Sequence, residues 1–161
     1  MAVRLGLYTP YRARMYKHIL IPIDGSPDAE RAIEAGIDFA LGIQARVTLF
    51  TAVPEYQPHD EVTLVGRGAI SPWDHERRSR DKALAILRPA AERVRAAGVE
   101  CATAYSDCDR PHEAIIDAAR AHGCDLILMS SYGHRGLSES GYGSETHAVL
   151  KHSSIPTLVY R

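Results

Sequence analysis

A short apolar run that is continuous rather than alternating, closed by a helix-start signal, is the strongest constraint on this chain. Lys17 to Asp24 read KHILIPID, with Ile19, Leu20, Ile21 and Ile23 apolar and Gly25 ending the run. Apolar side chains on both sides of a strand mean burial on both faces, the pattern of a parallel sheet covered by helices. Ser26-Pro27-Asp28 then supplies an N-cap, a proline at the first helical position and an acid in the first turn. Ala29, Ala32, Ile33, Gly36, Ile37 and Ala40 recur at three- and four-residue intervals, which predicts a helix ending near Gly42.

The same alternation continues. Ala45 to Val53 predicts a second strand. Pro54 to Pro72 is a long irregular stretch, of the kind that forms a lid or insert. A second helix starts near Ser71-Pro72, with Asp74 completing a capping box, and Pro89 inside it should kink or split it before Gly98. Val99 to Ser106 predicts a third strand, and Arg110 to His122 a third helix capped by Asp109 and closed by Gly123. Asp125 to Ser130, Ser144 to His152 and Pro156 to Tyr160 predict a fourth strand, a last helix and a last strand. Strands alternating with helices in this way form an α/β fold, a five-stranded parallel sheet with helices on both faces and right-handed crossovers. Met15 opens the strand pattern, so residues 1–14 are read as an N-terminal extension and 15–161 as a single domain.

Charge removes several function classes. Nineteen Lys and Arg stand against twenty Asp and Glu, a formal net charge of −1. A duplex-DNA binder or a polybasic membrane-surface protein needs a cationic surplus, so neither nucleic acid nor membrane is expected as a partner. No apolar run reaches the roughly 18–20 residues of a membrane helix. Residues 1–14 also lack the apolar core of a signal peptide, so a cytoplasmic location is expected. Cys101, Cys108 and Cys124 are odd in number and form no CxxC pair, which argues against a disulfide framework or a zinc site. Cys101 and Cys124 lie in or beside apolar runs and read as small core residues, whereas Cys108 lies in a loop. His147 and His152 are five apart and share no helix face, and no nucleophile–base pair is visible by spacing. No metal site and no catalytic residue are assigned.

In an open parallel sheet, ligands bind beyond the carboxyl ends of the strands. Polar chemistry reaches that edge at Pro22-Ile23-Asp24-Gly25-Ser26, at Ala52-Val53-Pro54 and in the loop after the fourth strand. That last loop holds Gly133, Gly136, Gly141 and Gly143 and ends on Ser144-Glu145-Thr146 at a helix start. Glycines allow close backbone approach, and the free N–H groups of a helix start attract an anion, with phosphate the natural occupant. No Gly-Lys-Ser/Thr follows, so this is not a P-loop.

Tyr16 to Arg161 together resemble the universal stress protein family. The carriers are Ile23-Asp24-Gly25-Ser26 at the end of the first strand and the spacing Ser130-x2-Gly133-x9-Gly143-Ser144. Nucleotide-binding members carry G-x2-G-x9-G-(S/T) at the latter place. Here Ser130 replaces the first glycine, and Glu145 stands where a small apolar residue is common. The resemblance implies a three-layer α/β/α, Rossmann-like fold of the adenine nucleotide alpha hydrolase-like type, with strand order 3-2-1-4-5. It also implies a homodimer paired through Thr157, Leu158, Val159 and Tyr160. The implied ligand is ATP or AMP, with Mg²⁺ carried by a triphosphate. The backbone at Ala52 and Val53 would border adenine, Asp24 beside Ile23 would fix the nucleoside, and Met129 and Pro22 would pack on base or sugar. Ser130 would either crowd the ribose or hydrogen-bond it. Amides of Ser131, Tyr132, Gly133, Gly143 and Ser144 would hold phosphates, near Glu145 and the Thr146 hydroxyl. The role implied is that of a stress-responsive sensor or regulator acting on a protein partner the sequence does not specify. A dimeric interaction module without nucleotide, and a slow ATPase, are the alternatives.

Overall fold

The computed structural model describes residues 16–54, 72–131 and 142–161. The elements are β1 (His18–Pro22), α1 (Pro27–Ile43), β2 (Arg46–Val53), α2 (Pro72–Ala96), β3 (Cys101–Asp107), α3 (Pro111–Ala121), β4 (Leu126–Ser130), α4 (Ser144–His152) and β5 (Thr157–Tyr160). All strand pairs are parallel, and the sheet order is β3-β2-β1-β4-β5. The expected α/β fold and strand order are both present. The expected extension and most of the Pro54–Pro72 stretch lie outside the described residues.

Alternate residues of the inner strands sort to opposite faces, as the pleat requires. Ile19, Ile21, Val47, Leu49, Leu126 and Leu128 are buried with Ala32 and Ile33 of α1 and Leu87 and Val94 of α2. Leu20, Phe50, Ile127 and Met129 are buried with Ile115 and Ala119 of α3 and Val149 of α4. A continuous apolar run in sequence is therefore two half-runs in space, one for each core.

The helix ends show where local signals hold. Ser26 caps α1, its hydroxyl accepting from the Ala29 N–H at 3.1 Å. The β1–α1 turn passes through Gly25 at φ +78°, a region that favours glycine. α1 ends at Ile43, next to Gly42 as expected, and its C-cap is Gln44, at φ 56°, whose N–H reaches the Ala40 and Leu41 carbonyls. Pro89 does not split α2, which runs unbroken for 25 residues. Both Pro89 and Ala85, whose carbonyl loses its helical donor, lie on the exposed face, where water can replace that bond. Asp109 is not the cap of α3. That position is Arg110, which makes no side-chain cap bond.

At the amino-terminal edge the chain buries a small polar cluster. The Asp125 carboxylate accepts from the Lys17 and His18 N–H groups at 3.0–3.1 Å, anchoring the start of β1. His18 is buried, its Nε2 sharing a 2.7 Å hydrogen bond with the Thr48 hydroxyl. Its Nδ1 has no hydrogen-bond partner among the described residues. Burial pushes the Cys124 thiol up to about 11, so it stays protonated at neutral pH. Burial, and then the Arg46 charge, pushes His18 below the ordinary 6.5. Below that value an unfolded chain takes up a proton that the folded protein does not, so stability is full above it and falls as the pH drops. Thermal melts should therefore show Tm falling between pH 7.5 and 5.0, with a smaller fall in His18→Gln. An equal fall in both proteins would assign the acid sensitivity to other groups.

Candidate functional site

The carboxyl ends of β1, β2 and β4, the residues after β3 and the first turn of α4 enclose a cavity of about 240 Å³. Pro22, Phe50, Ala52 and Met129 line it, and Ile115 adds the side chain of α3. Pro22 shares the parity of Leu20, so these four strand residues stand on the sheet face covered by α3 and α4. The rim is polar and carries Asp24, Asp109, Ser130, Ser144, Glu145 and Thr146. No lysine or arginine lines the cavity among the described residues.

Gly143 is the N-cap of α4 and makes no side-chain cap bond. A glycine cap offers the first-turn amides no side-chain acceptor of its own, and a helix start is a place that attracts an anion. Two anchors fix this helix start against the end of β4. The buried Thr146 hydroxyl donates to the Ser130 carbonyl at 3.0 Å, and the Gly143 N–H donates to the Ser131 carbonyl at 2.8 Å. α3 presents its own N-terminus to the same cavity through Pro111, but its donors are taken. The Arg110 N–H lies 3.1 Å from the Cys108 sulfur, and the His112 N–H donates to Glu145 Oε2 at 2.9 Å. Glu145 thus caps α3 from another helix, which answers the missing cap at Arg110. Asp24 Oδ1 accepts from the Ser26 N–H at 3.0 Å, an Asx-type turn that holds its carboxylate at the cavity mouth.

Of the residues singled out in sequence, Pro22, Ile23, Asp24, Ala52, Met129, Ser130, Gly143, Ser144, Glu145 and Thr146 are brought together around this cavity. Val53 is not. It is one residue on from Ala52, so its side chain is buried in the opposite core, with α1 and α2. Ser131 is buried and does not line the cavity; its N–H donates to the Tyr160 carbonyl at 2.8 Å. The Ser131 and Gly143 amides expected to hold phosphate are thus both engaged within the fold. Tyr132 and Gly133 lie outside the described residues. Pro54, placed at this edge with Ala52 in the sequence, lines the cavity too, whereas sequence reasoning missed Phe50, Cys108, Asp109, Pro111 and Ile115. Most come from α3 and the residues between β3 and α3, which a parallel strand must also deliver to this edge.

A doubly wound α/β protein with an apolar cavity at its carboxyl edge, lined on one side by a helix start, is the class that fold and cavity define. Within that class, residues 15–161 match the family described as universal stress protein family. The universal stress protein YxiE of Bacillus subtilis is 30% identical over 91% of this chain and 100% of its own length. The solved structure of the protein MJ0577, named among the curated relatives as a universal stress protein of Methanocaldococcus jannaschii, superposes with a TM-score of 0.72. That comparison gives 26% identity and covers 90% of this chain and 95% of the other. A universal stress protein solved in complex with cAMP superposes with a TM-score of 0.67 at 20% identity, over 91% of this chain and 98% of the other, a likeness of fold. The chain belongs to the universal stress protein family.

Proposed function

We propose that the cavity is an adenine-nucleotide site, for ATP or AMP, and that the protein is a cytoplasmic stress-responsive regulator or sensor. One observation carries this reading: the glycine-capped start of α4 opens onto a cavity whose other wall is apolar. A flat, largely apolar base can pack on Pro22, Phe50, Ala52 and Met129. A phosphate suits the α4 amides, aided by the hydroxyl of Ser144. The Asp24 carboxylate is placed to accept from ribose hydroxyls or an exocyclic amine. Among the described residues no group of three His, Cys, Asp or Glu side chains could hold a metal ion, so Mg²⁺ would arrive on a triphosphate. No described helix is long and apolar enough to cross a membrane.

Calorimetric titration with AMP and Mg-ATP tests the reading. Saturable heat with a rise in Tm at millimolar ligand is the expected result. Silence in both measurements would leave a nucleotide-free interaction module of the same fold. The same reading includes a homodimer through β5. This terminal strand exposes Leu158 and Tyr160, an apolar edge that pairing with a second copy would cover. A monomer mass in sedimentation equilibrium would end that part of it.

A further inference from the structure

The strand β5 ends at the same edge of the sheet as the cavity, and its last residue leads into a cation. Tyr160 stands opposite Ser130 at the end of the β4–β5 ladder, and its carbonyl accepts from the Ser131 N–H at 2.8 Å. The Ser131 carbonyl in turn accepts from the Gly143 N–H, also at 2.8 Å. Two hydrogen bonds thus set the end of β5, the end of β4 and the cap of α4 in a row. Arg161, the residue after Tyr160, starts from that row.

A long exposed side chain ordinarily spreads over many rotamers. Arg161 is exposed, but it has a resting place. Its Cζ lies 4.9 Å from the centroid of the Tyr142 ring, a cation over an aromatic face. Tyr142 immediately precedes Gly143, so the guanidinium is held close to the start of α4. That ring contact is its one interaction among the described residues, which leaves its N–H donors without an acceptor. The described lining of the cavity itself contains no lysine or arginine. Arg161 therefore brings to this edge a positive charge that the cavity wall does not supply.

The strand order gives the direction in which that charge would act. The proposed base wall belongs to β1, β2 and β4, and the proposed phosphate position to the start of α4. Beyond β4 the next strand is β5. A phosphate chain that leaves the nucleoside across the end of β4 runs toward Arg161. Resting on the nucleotide reading, we infer that Arg161 is a specificity-determining residue of that site, which engages phosphates beyond the first and so favours a triphosphate over a monophosphate. The planar guanidinium fork matches phosphate oxygens two at a time. Its contact with Tyr142 restricts the free side chain, so less freedom is lost when a phosphate arrives.

Calorimetry with adenosine, AMP and ATP, in the absence of divalent cations, tests the assignment on the wild type and on Arg161→Gln. ATP affinity should fall about fivefold in the variant, the size of a charge-assisted contact at an exposed rim. AMP affinity should fall by less than about twofold, and adenosine affinity should not change. Arg161→Lys keeps the charge without the fork and should lie between the two proteins for ATP. An equal loss for all three ligands would make Arg161 a support for the end of β5, and an unchanged ATP affinity would leave it a solvated surface residue. Either result overturns the inference while the nucleotide site stands. Salt supplies a second measurement: at 0.5 M NaCl, where the Debye length is about 4 Å, the ATP difference between wild type and Arg161→Gln should shrink. A difference indifferent to salt overturns the inference as well. Binding of none of the three ligands by the wild type overturns both this assignment and the nucleotide reading.

Discussion

Gly36→Val should lower folding stability by about 3 kcal/mol, read as a fall in Tm of about 6–12 °C for a chain of this size. Gly36 is buried on α1 where that helix crosses the sheet. A Cβ built there would lie 2.4 Å from Ile21 Cδ1, with Ile21 Cγ1 at 3.6 Å and Leu128 Cδ2 at 3.8 Å. Ile21 is completely buried, so its terminal methyl has no solvent to move into. Overpacking of a full core typically costs about 1–3 kcal/mol, and valine's branched Cβ adds more bulk at the tightest point. Alanine is the informative control. It regains about 1 kcal/mol of helix propensity against the same Cβ contact, so Gly36→Ala should lose much less. Circular dichroism melts of the three proteins test the ordering. A valine protein melting within about 2 °C of the parent would mean that α1 does not approach the sheet as closely as described.

Gly36 also shows what the sequence could and could not say. Its place in the apolar repeat of α1 marks it as inward-facing, but the nearness of Ile21 is a fact of helix-on-sheet packing that periodicity does not encode. The fold as a whole was legible because its signals are local and mutually consistent: Ser26 as a cap, the doubly apolar strands and the strand–helix alternation. The cavity was legible only where a local signal met a topological rule. Ala52 and Val53 were both expected there through their backbone because both end β2; strand parity sends their side chains to opposite cores, so only that of Ala52 lines the cavity. Asp109 was expected as a cap because it precedes α3. The cap actually used, Glu145, lies 33 residues from His112, a partnership no local motif announces. Cys108, Asp109 and Pro111 were findable from topology alone, since the residues after β3 must emerge at the same edge as those after β1, β2 and β4.

Ala52→Phe should abolish nucleotide binding without harming the fold, and that pairing makes it the sharper test of the site. Ala52 lies near the end of β2, half-buried, and its side chain lines the cavity at the margin of the core that holds Phe50 and Met129. A phenyl ring added there enters open space between Phe50, Pro22 and Met129, the surface proposed to hold the base. Filling such space adds apolar contact instead of the strain expected at Gly36, so Tm should stay level or rise. The base, however, loses its place. An affinity loss of about a hundredfold or more, equivalent to about 2.8 kcal/mol, is the expected result for AMP and for adenosine alike. If Ala52→Phe binds AMP as the wild type does, the base does not lie on this wall, and the α4 start would have to serve an anion of another kind. If it loses AMP and adenosine together while keeping its fold, the base lies on this wall.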